Sequence, residues 1–377
     1  MSGSFDFQVL RRFPDLEADN LVAVDATDRL VLTEAGDAIS AAGPGKVVVV
    51  GDRYGAMTLG AMGLHGAQDV RVHQDLLSSE QALAHNAARV ALTDGYRLLP
   101  LNADLFIGAS VVIGQLPKSL DALREIVQLA AAWVEADATV FFGGRVKHMT
   151  HAMNDVLGES FADVHASLAQ QKSRVLVASG GRPERGAAAT EYPLRQHHTD
   201  LDLWVCAHGA AFAGTKIDIG TRFLLEFLDR MSPGARNAVD LGCGTGVIAT
   251  SLARARPELS VLATDESGAA ISSTLATAAA NGLSGRVQVL RDNAMSTLAD
   301  ASADLIVCNP PFHLGTSVHS GVSLKLFRAA GRVLKPGGQL WTVFNSHLPY
   351  VSQLTRAVGP TRVVGRNPKF TVTVSTL

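Results

Sequence analysis

Ala238-Val239-Asp240-Leu241-Gly242-Cys243-Gly244-Thr245-Gly246-Val247 is the stretch whose reading decides the fold. Ala238 to Leu241 reads as a strand and Val247 to Arg256 as a helix, so the glycines make the turn between them. Glycine lets a backbone turn tightly and lets a ligand approach the main chain. A dinucleotide site asks for G-x-G-x-x-G, with pyrophosphate on the helix N-terminus. The spacing here is D-x-G-x-G-x-G, with Asp240 at the strand's end. A carboxylate there repels a pyrophosphate but can accept a hydrogen bond from an ammonium group.

Working outward, apolar strand-like runs alternate with helical ones. Val261 to Thr264, Arg286 to Leu290, Leu305 to Cys308 and Leu340 to Phe344 read as strands, and Ser323 to Leu334 as a helix. Thr361 to Gly365, Asn367-Pro368 and Phe370 to Val374 read as an antiparallel hairpin at a sheet edge. The same alternation fills the first half. Strands are read at 47–50, 70–73, 111–113, 139–142 and 174–178, and helices at 54–64, 120–134 and 149–170, with another running up to Val90. Such alternation implies parallel sheets covered on both faces. Ser179 to Gln196, rich in Gly, Pro, Arg and Ala, reads as a linker or exposed turn.

The halves read as one α/β fold used twice. Val49 to Ala56 lines up with Asp240 to Val247, and Val111 to Lys118 with Leu305 to Phe312, at offsets of 191 and 194 residues. The first half lacks the strand-end Asp and the middle loop Gly, and it carries Gln115-Leu116-Pro117-Lys118 where the second has Asn309-Pro310-Pro311-Phe312. The expectation is two tandem Rossmann-like domains: a degenerate copy at 1–190 and a catalytic domain at 200–377. Two unrelated domains with similar strand–loop–helix grammar are the alternative.

Four more positions carry chemistry. Asp265 stands nineteen residues after Gly246, at the next strand's end, where a carboxylate can grip two ribose hydroxyls; Glu266 is the weaker candidate beside it. Asp292-Asn293-Ala294 follows the third strand. Asp292 is either an acceptor for adenine's exocyclic amine, with Asn293 or Ala294 offering an N–H, or the cap of a turn. Asn309-Pro310-Pro311-Phe312 follows the fourth strand. Two prolines fix the backbone and remove two N–H donors. The Asn309 amide oxygen and the Pro310 carbonyl can then accept from one planar NH₂ group. Phe312 offers a face for a flat ring, worth roughly 1–3 kcal/mol for a base. An ammonium, a ribose and a methyl acceptor together suit S-adenosylmethionine as cofactor. Gly242, Cys243, Gly244 and Gly246 are read as the loop around its methionine end, with Asn309 between cofactor and target.

In that order and spacing these residues resemble the class I S-adenosylmethionine-dependent methyltransferases that methylate amino groups. His313 follows the prolines, Phe212 and the run Ile217-Asp218-Ile219-Gly220-Thr221-Arg222-Phe223 precede the glycine loop, and a diverged copy lies upstream. Together these resemble the bacterial ribosomal RNA guanine-N2 methyltransferases. Ile217 to Phe223, Leu116 to Leu120 and Asn367-Pro368-Lys369-Phe370 are more similar to the enzymes of the large subunit (23S) than of the small (16S). The resemblance implies ribosomal RNA as partner and catalysis by Asn309, Pro310, Pro311 and Phe312. Two rival readings remain. A protein-glutamine N-methyltransferase also meets a planar NH₂, but such enzymes usually place Tyr where Phe312 stands. A non-enzymatic RNA-binding or assembly protein would not need the intact Asn-Pro-Pro-Phe.

The chain has 377 residues, 47% of them hydrophobic and 18% charged, which suits two domains and excludes a wholly disordered chain. No apolar run reaches the roughly 18 residues of a membrane span. The N-terminus shows no secretory signal, and three cysteines (Cys206, Cys243, Cys308) cannot all pair. A reduced, cytoplasmic, monomeric protein is expected. His197-His198 has no Cys or carboxylate at ligand spacing, so no metal is expected. Cys243 and Cys308 are read as packing residues rather than nucleophiles. Asp218 is read as ordering the cofactor-side loop or capping a helix near Thr221. Residues 1–200 carry 17 Lys and Arg against 24 Asp and Glu, and residues 201–377 carry 16 against 11. The basic half favours a polyanionic partner.

Overall fold

The computed structural model describes residues 5–18, 21–182, 190–311 and 317–377, without the side chains of 317–320. The chain divides into two compact units, Met1–Tyr192 and Pro193–Leu377.

The first unit holds β1 (Val47–Val50), β2 (Val70–His73), β3 (Tyr96–Leu98), β4 (Val111–Gln115), β5 (Thr139–Arg145), β6 (Phe161–Ala166) and β7 (Ser173–Gly181), in the order β3-β2-β1-β4-β5-β7-β6. The second opens with a hairpin, β8 (Leu194–His198) and β9 (Leu203–Ala207). It then holds β10 (Asn237–Leu241), β11 (Ser260–Asp265), β12 (Val287–Arg291), β13 (Ala303–Cys308), β14 (Leu334–Asn345), β15 (Thr361–Arg366) and β16 (Phe370–Thr376), in the order β12-β11-β10-β13-β14-β16-β15. The two orders are the same. Five parallel strands are followed by an antiparallel pair in each.

The register repeats too. Val49 pairs with Val72 and Ile113, and Asp240 pairs with Ala263 and Val307. The helices after the first two strands repeat at the same offset: Ala56–His65 and Leu77–Arg89 answer to Val247–Ala255 and Gly268–Ala280. Each sheet is buried on both faces, which is why its strands read as unbroken apolar runs. Val47 and Val49 enter one core and Val48 and Val50 the other. Ala238 faces one core of the second unit while Val239 and Leu241 face the other.

Two expectations change. The helix expected over 149–170 ends at Ser160, and the chain turns into the edge strand β6. The expected break over 179–196 is shorter, because Ser179–Gly181 closes β7 and Leu194–Gln196 opens β8.

The hairpin strand β9 is pinned to the helix Gly268–Ala280 by side chains. Thr277 Oγ1 accepts from Cys206 N at 2.9 Å and donates to Cys206 O at 3.2 Å, and Asn281 holds both backbone groups of Trp204. In the first unit Asn86, 191 residues before Thr277, holds Arg11 in the same way, accepting from its N–H and donating to its carbonyl, each at 2.8 Å. Thr277→Val keeps the shape of a fully buried side chain but strips both bonds. It should cost the second unit about 1–3 kcal/mol by urea unfolding, while Thr277→Ser should cost less.

Candidate active site

The strand order reverses between β10 and β13, and crevices at such points receive ligands in open α/β sheets. A cavity of about 620 Å³ lies there in the second unit. Its wall includes Gly242, Cys243, Gly244, Asp265, Glu266, Asp292, Asn293, Asn309, Pro310 and Pro311. Phe312 and His313 lie outside the described residues. Asp240 and Gly246 stand off the wall.

The three loop glycines have different reasons. All have positive φ, 77° at Gly242, 54° at Gly244 and 75° at Gly246. A Cβ at Gly242 or Gly244 would meet nothing within 4 Å, so these two leave open room beside the backbone. A Cβ at Gly246 would press on Thr274 at 2.7 Å. That glycine serves the approach of two helices, not a ligand. The loop is anchored to the neighbouring strand: Gly242 N and Cys243 N donate to Thr264 O at 2.8 and 3.0 Å, and Gly244 N donates to Asp265 Oδ2 at 3.1 Å.

Asp240 has no exposed surface, and its Oδ2 accepts from Ala249 N at 2.9 Å, inside the first turn of the following helix. Its Oδ1 has no partner. Burial, with the nearby charge of Asp265, pushes its pKa to about 7, against the single bond from Ala249. The expectation that Asp240 itself lines the ammonium site is therefore corrected: its carboxylate sits behind the loop, drawn in by the helix terminus. Asp265 is on the wall and ties the loop, its other oxygen accepting from Ser267 N at 3.0 Å. Glu266, the weaker candidate, has a buried Oε2 without a partner.

Asp292 takes the turn-cap role. Oδ1 accepts from Ser296 N and Oγ, and Oδ2 from Thr297 N and Oγ1. Four donors fill the acceptor positions of a carboxylate, which leaves none for an adenine amine. These bonds outweigh its burial and hold its pKa low. The Cys243 thiol, shielded by burial and by Asp265 and Asp240, is held well above its ordinary pKa and stays protonated. Cys308 is shifted the same way, chiefly by burial. Neither suits a nucleophile. The His197 and His198 rings are engaged by Asp202 and by Thr215 and Arg222.

At the β13 end, Asn309 Nδ2 donates to Asp218 Oδ2 at 3.0 Å and to Thr221 Oγ1 at 2.9 Å. Its Oδ1 is buried and has no partner. Asp218 caps the helix Ile219–Leu225 and also lines the cavity with Thr221. Lys325, on the helix Ser317–Val333, completes that side and donates to Asn293 Oδ1 at 2.6 Å. The sequence reading missed Thr221 and Lys325 as site residues. The glycine spacing that flags a loop has no counterpart for one side chain supplied by a distant helix.

Two family models match the chain: the RLMG N-terminal domain over residues 2–182 and the methyltransferase small domain over 202–374. The half that carries the cavity is thus of the methyltransferase small-domain class. Ribosomal RNA large subunit methyltransferase G of Streptomyces avermitilis is 33% identical over 374 residues, 96% of this chain and 95% of that relative. The Streptomyces coelicolor protein of the same name is 34% identical over 380 residues, covering 97% of each. The chain belongs to the ribosomal RNA large subunit methyltransferase G family. Among solved structures, the 16S rRNA N2 methyltransferase (RsmC) of T. thermophilus, in complex with AdoMet and guanosine, shares the fold. Its TM-score is 0.72 at 18% identity, over 93% of this chain and 92% of that one.

The glycine geometry separates two effects. Gly246→Ala should lose stability, about 1–3 kcal/mol from overpacking against Thr274 plus the cost of its φ. Gly244→Ala should lose less stability but more ligand affinity, because its methyl enters the open room; urea unfolding and calorimetry on both variants check this.

Asp240 also fixes a pH dependence. A raised carboxyl pKa means the folded state holds its proton longer than the unfolded chain, whose Asp titrates near pH ~4. Its contribution is fully present below pH ~4 and is lost as pH rises through about 7. Asp28, raised to about 7 by burial and by Asp25 and Asp52, acts in the same direction. Wild type should lose stability between pH 5.5 and 8, and Asp240→Asn should flatten that loss; urea midpoints at the two pH values measure it.

Proposed function

We propose that the chain transfers the methyl group of S-adenosylmethionine to the exocyclic N2 of a guanine in 23S ribosomal RNA. One observation carries the reading: the buried Asn309 Oδ1, without a donor, beside Pro310 on the cavity wall. Glu266 Oε2 is a further buried acceptor on that wall without a donor. The proposed ligands bring the missing donors: ribose hydroxyls and a conjugated amine.

Bound in the cavity, S-adenosylmethionine supplies a sulfonium methyl group open to attack by a nitrogen lone pair. Gly242 and Gly244 would give its methionine end room. Asp265 with Glu266 would hold the ribose, and Asn293 and Ala294 would serve the adenine. Asn309 Oδ1 and the Pro310 carbonyl accept from the target NH₂. They set its lone pair in line with the methyl group and raise its electron density. Transfer would form the N–C bond as the C–S bond breaks and leave nitrogen cationic, so its proton would pass to water or a carbonyl. Phe312 is assigned to stacking on the base. A guanine buried in a helix must be unstacked first, which favours a loop or unfolded RNA.

Residues 1–190 are assigned to RNA recognition or support, with exposed Arg145, Lys147 and His148 as phosphate contacts. A ribosomal RNA substrate supports our assignment of the chain to the cytoplasm.

Tritiated S-adenosylmethionine with deproteinised 23S RNA, 16S RNA and intact subunits tests the reading. Nuclease digestion should yield N2-methylguanosine from 23S RNA; label confined to 16S RNA or to protein would overturn it. Asn309→Ala should slow transfer about 10²–10³-fold while holding cofactor affinity within a few-fold. A parallel loss of both would reassign Asn309 to the cofactor.

A further inference from the structure

An amide side chain has two nearly superimposable ends, and only hydrogen bonding decides which end faces a ligand. Asn309 would be useless as an acceptor if its NH₂ group faced the target amine. Both Nδ2 hydrogens are spent, one on Asp218 Oδ2 at 3.0 Å and one on Thr221 Oγ1 at 2.9 Å. A carboxylate only accepts. Turning the amide over would set Asn309 Oδ1 against the Asp218 carboxylate and forfeit that bond. Asp218 is itself fixed, because the same Oδ2 accepts from Gly220 N at 2.9 Å and Thr221 N at 3.2 Å. Thr221 is buried in the first turn of the same helix. With Nδ2 held on this side, Oδ1 is the end left over, buried and without a partner.

We propose that Asp218 and Thr221 are positioning residues for methyl transfer: they lock the Asn309 amide with its oxygen toward the target amine. The proposal rests on the reading of Asn309 as the acceptor of that amine. Donation to a carboxylate also draws electron density toward Oδ1 and makes it the better acceptor.

The first unit sharpens the assignment. Gln115 ends β4 as Asn309 follows β13, and its Nε2 donates to Asp28 Oδ1 at 2.5 Å. Asp28 sits in the first turn of a helix capped by Asp25, as Thr221 sits in one capped by Asp218. A link from this amide to that helix therefore belongs to the repeated unit. In the second unit the acid at the third position is a neutral hydroxyl, and the cap carboxylate takes the amide. Orientation is kept without a second carboxylate beside the site.

The test is single-turnover methyl transfer by the whole chain to deproteinised 23S RNA, with cofactor affinity measured alongside. Asp218→Asn still caps the helix but can present either end to Asn309, and it should slow transfer about 10- to 100-fold. Thr221→Val should slow it about 5-fold, and Thr221→Ser should recover most of that loss. Cofactor affinity should move little in all three. In an Asn309→Ala background, Asp218→Asn and Thr221→Val should cost less than about 3-fold more, because no amide remains to orient. Equal losses in both backgrounds, or losses of cofactor affinity in step with rate, would make the two residues structural and overturn the proposal. If Asn309→Ala alone transfers at the wild-type rate, the reading of Asn309 fails first and the proposal with it. If Asp218→Asn does not fold, the Thr221 pair in the two backgrounds decides alone.

Discussion

A helix that starts behind a parallel strand needs an acceptor for its first N–H groups, and a buried one has to be a side chain. In the second unit Asp240 meets that need through Ala249 N, at the cost of a carboxylate with no exposed surface. The six residues from Leu241 to Gly246 are then a loop tied at both ends. Its path over Thr264 and Asp265 and its open outer face follow from the tether. The first unit shows which part of this is obligatory. Thr58, 191 residues before Ala249, donates its N–H to Asp52 Oδ2 at 2.7 Å. The acid has moved from the strand, where Val49 answers to Asp240, into the loop, where Asp52 answers to Cys243. The helix keeps its acceptor; the cradle is lost, because the positions of Gly244 and Thr245 become Arg53 and Tyr54.

Other paired positions diverge in the same sense. Gln74 answers to Asp265, and its Nε2 reaches back to Asp52 O at 2.5 Å. Tyr54 and Arg53 both bond Asp15 Oδ2, and the Arg12 guanidinium lies 5.0 Å from the centre of the Tyr54 ring. Polar groups that border a cavity in one unit are satisfied by neighbouring residues in the other. One backbone plan thus supports a ligand crevice in one unit and internal hydrogen bonds at the same strand ends in the other.

Those strand ends were legible in the sequence because glycine and proline constrain backbones locally. The glycine loop and the Asn-Pro-Pro turn need only neighbouring residues to be read, and the 191-residue offset only a comparison of the sequence with itself. The edge strand β6 was not legible, since only Phe161 of its six residues is buried and a mostly exposed strand has no alternating burial to mark it. Asp292 was ambiguous because a strand-end Asp suits a cap and a ligand equally, and only the fold shows Ser296 and Thr297 turning back onto it. Asp240 was found, but its direction was not. The sequence places a residue on a strand, whereas the pull of a helix terminus nine residues later decides where its carboxylate goes. Lys325 was invisible for a related reason, since it reaches the cavity from a helix that packs there only in three dimensions.

The pairing of buried polar groups separates the two units without reference to any motif. An unpaired buried acceptor costs about 1–3 kcal/mol, so a fold keeps few of them. Among the described residues of the first unit, the buried side-chain atoms without partners are Thr58 Oγ1 and one nitrogen each of Arg71 and Arg174. None is a carboxylate or amide oxygen. In the second unit the set includes Asp240 Oδ1, Glu266 Oε2 and Asn309 Oδ1, at the ends of three adjacent strands. Acceptors gathered at one place have a common remedy in a ligand that carries donors and positive charge. A sulfonium cofactor with an ammonium end and an amine substrate are such ligands. The second unit therefore holds two of its unpaired acceptors, Glu266 Oε2 and Asn309 Oδ1, on the cavity wall, where binding can relieve them.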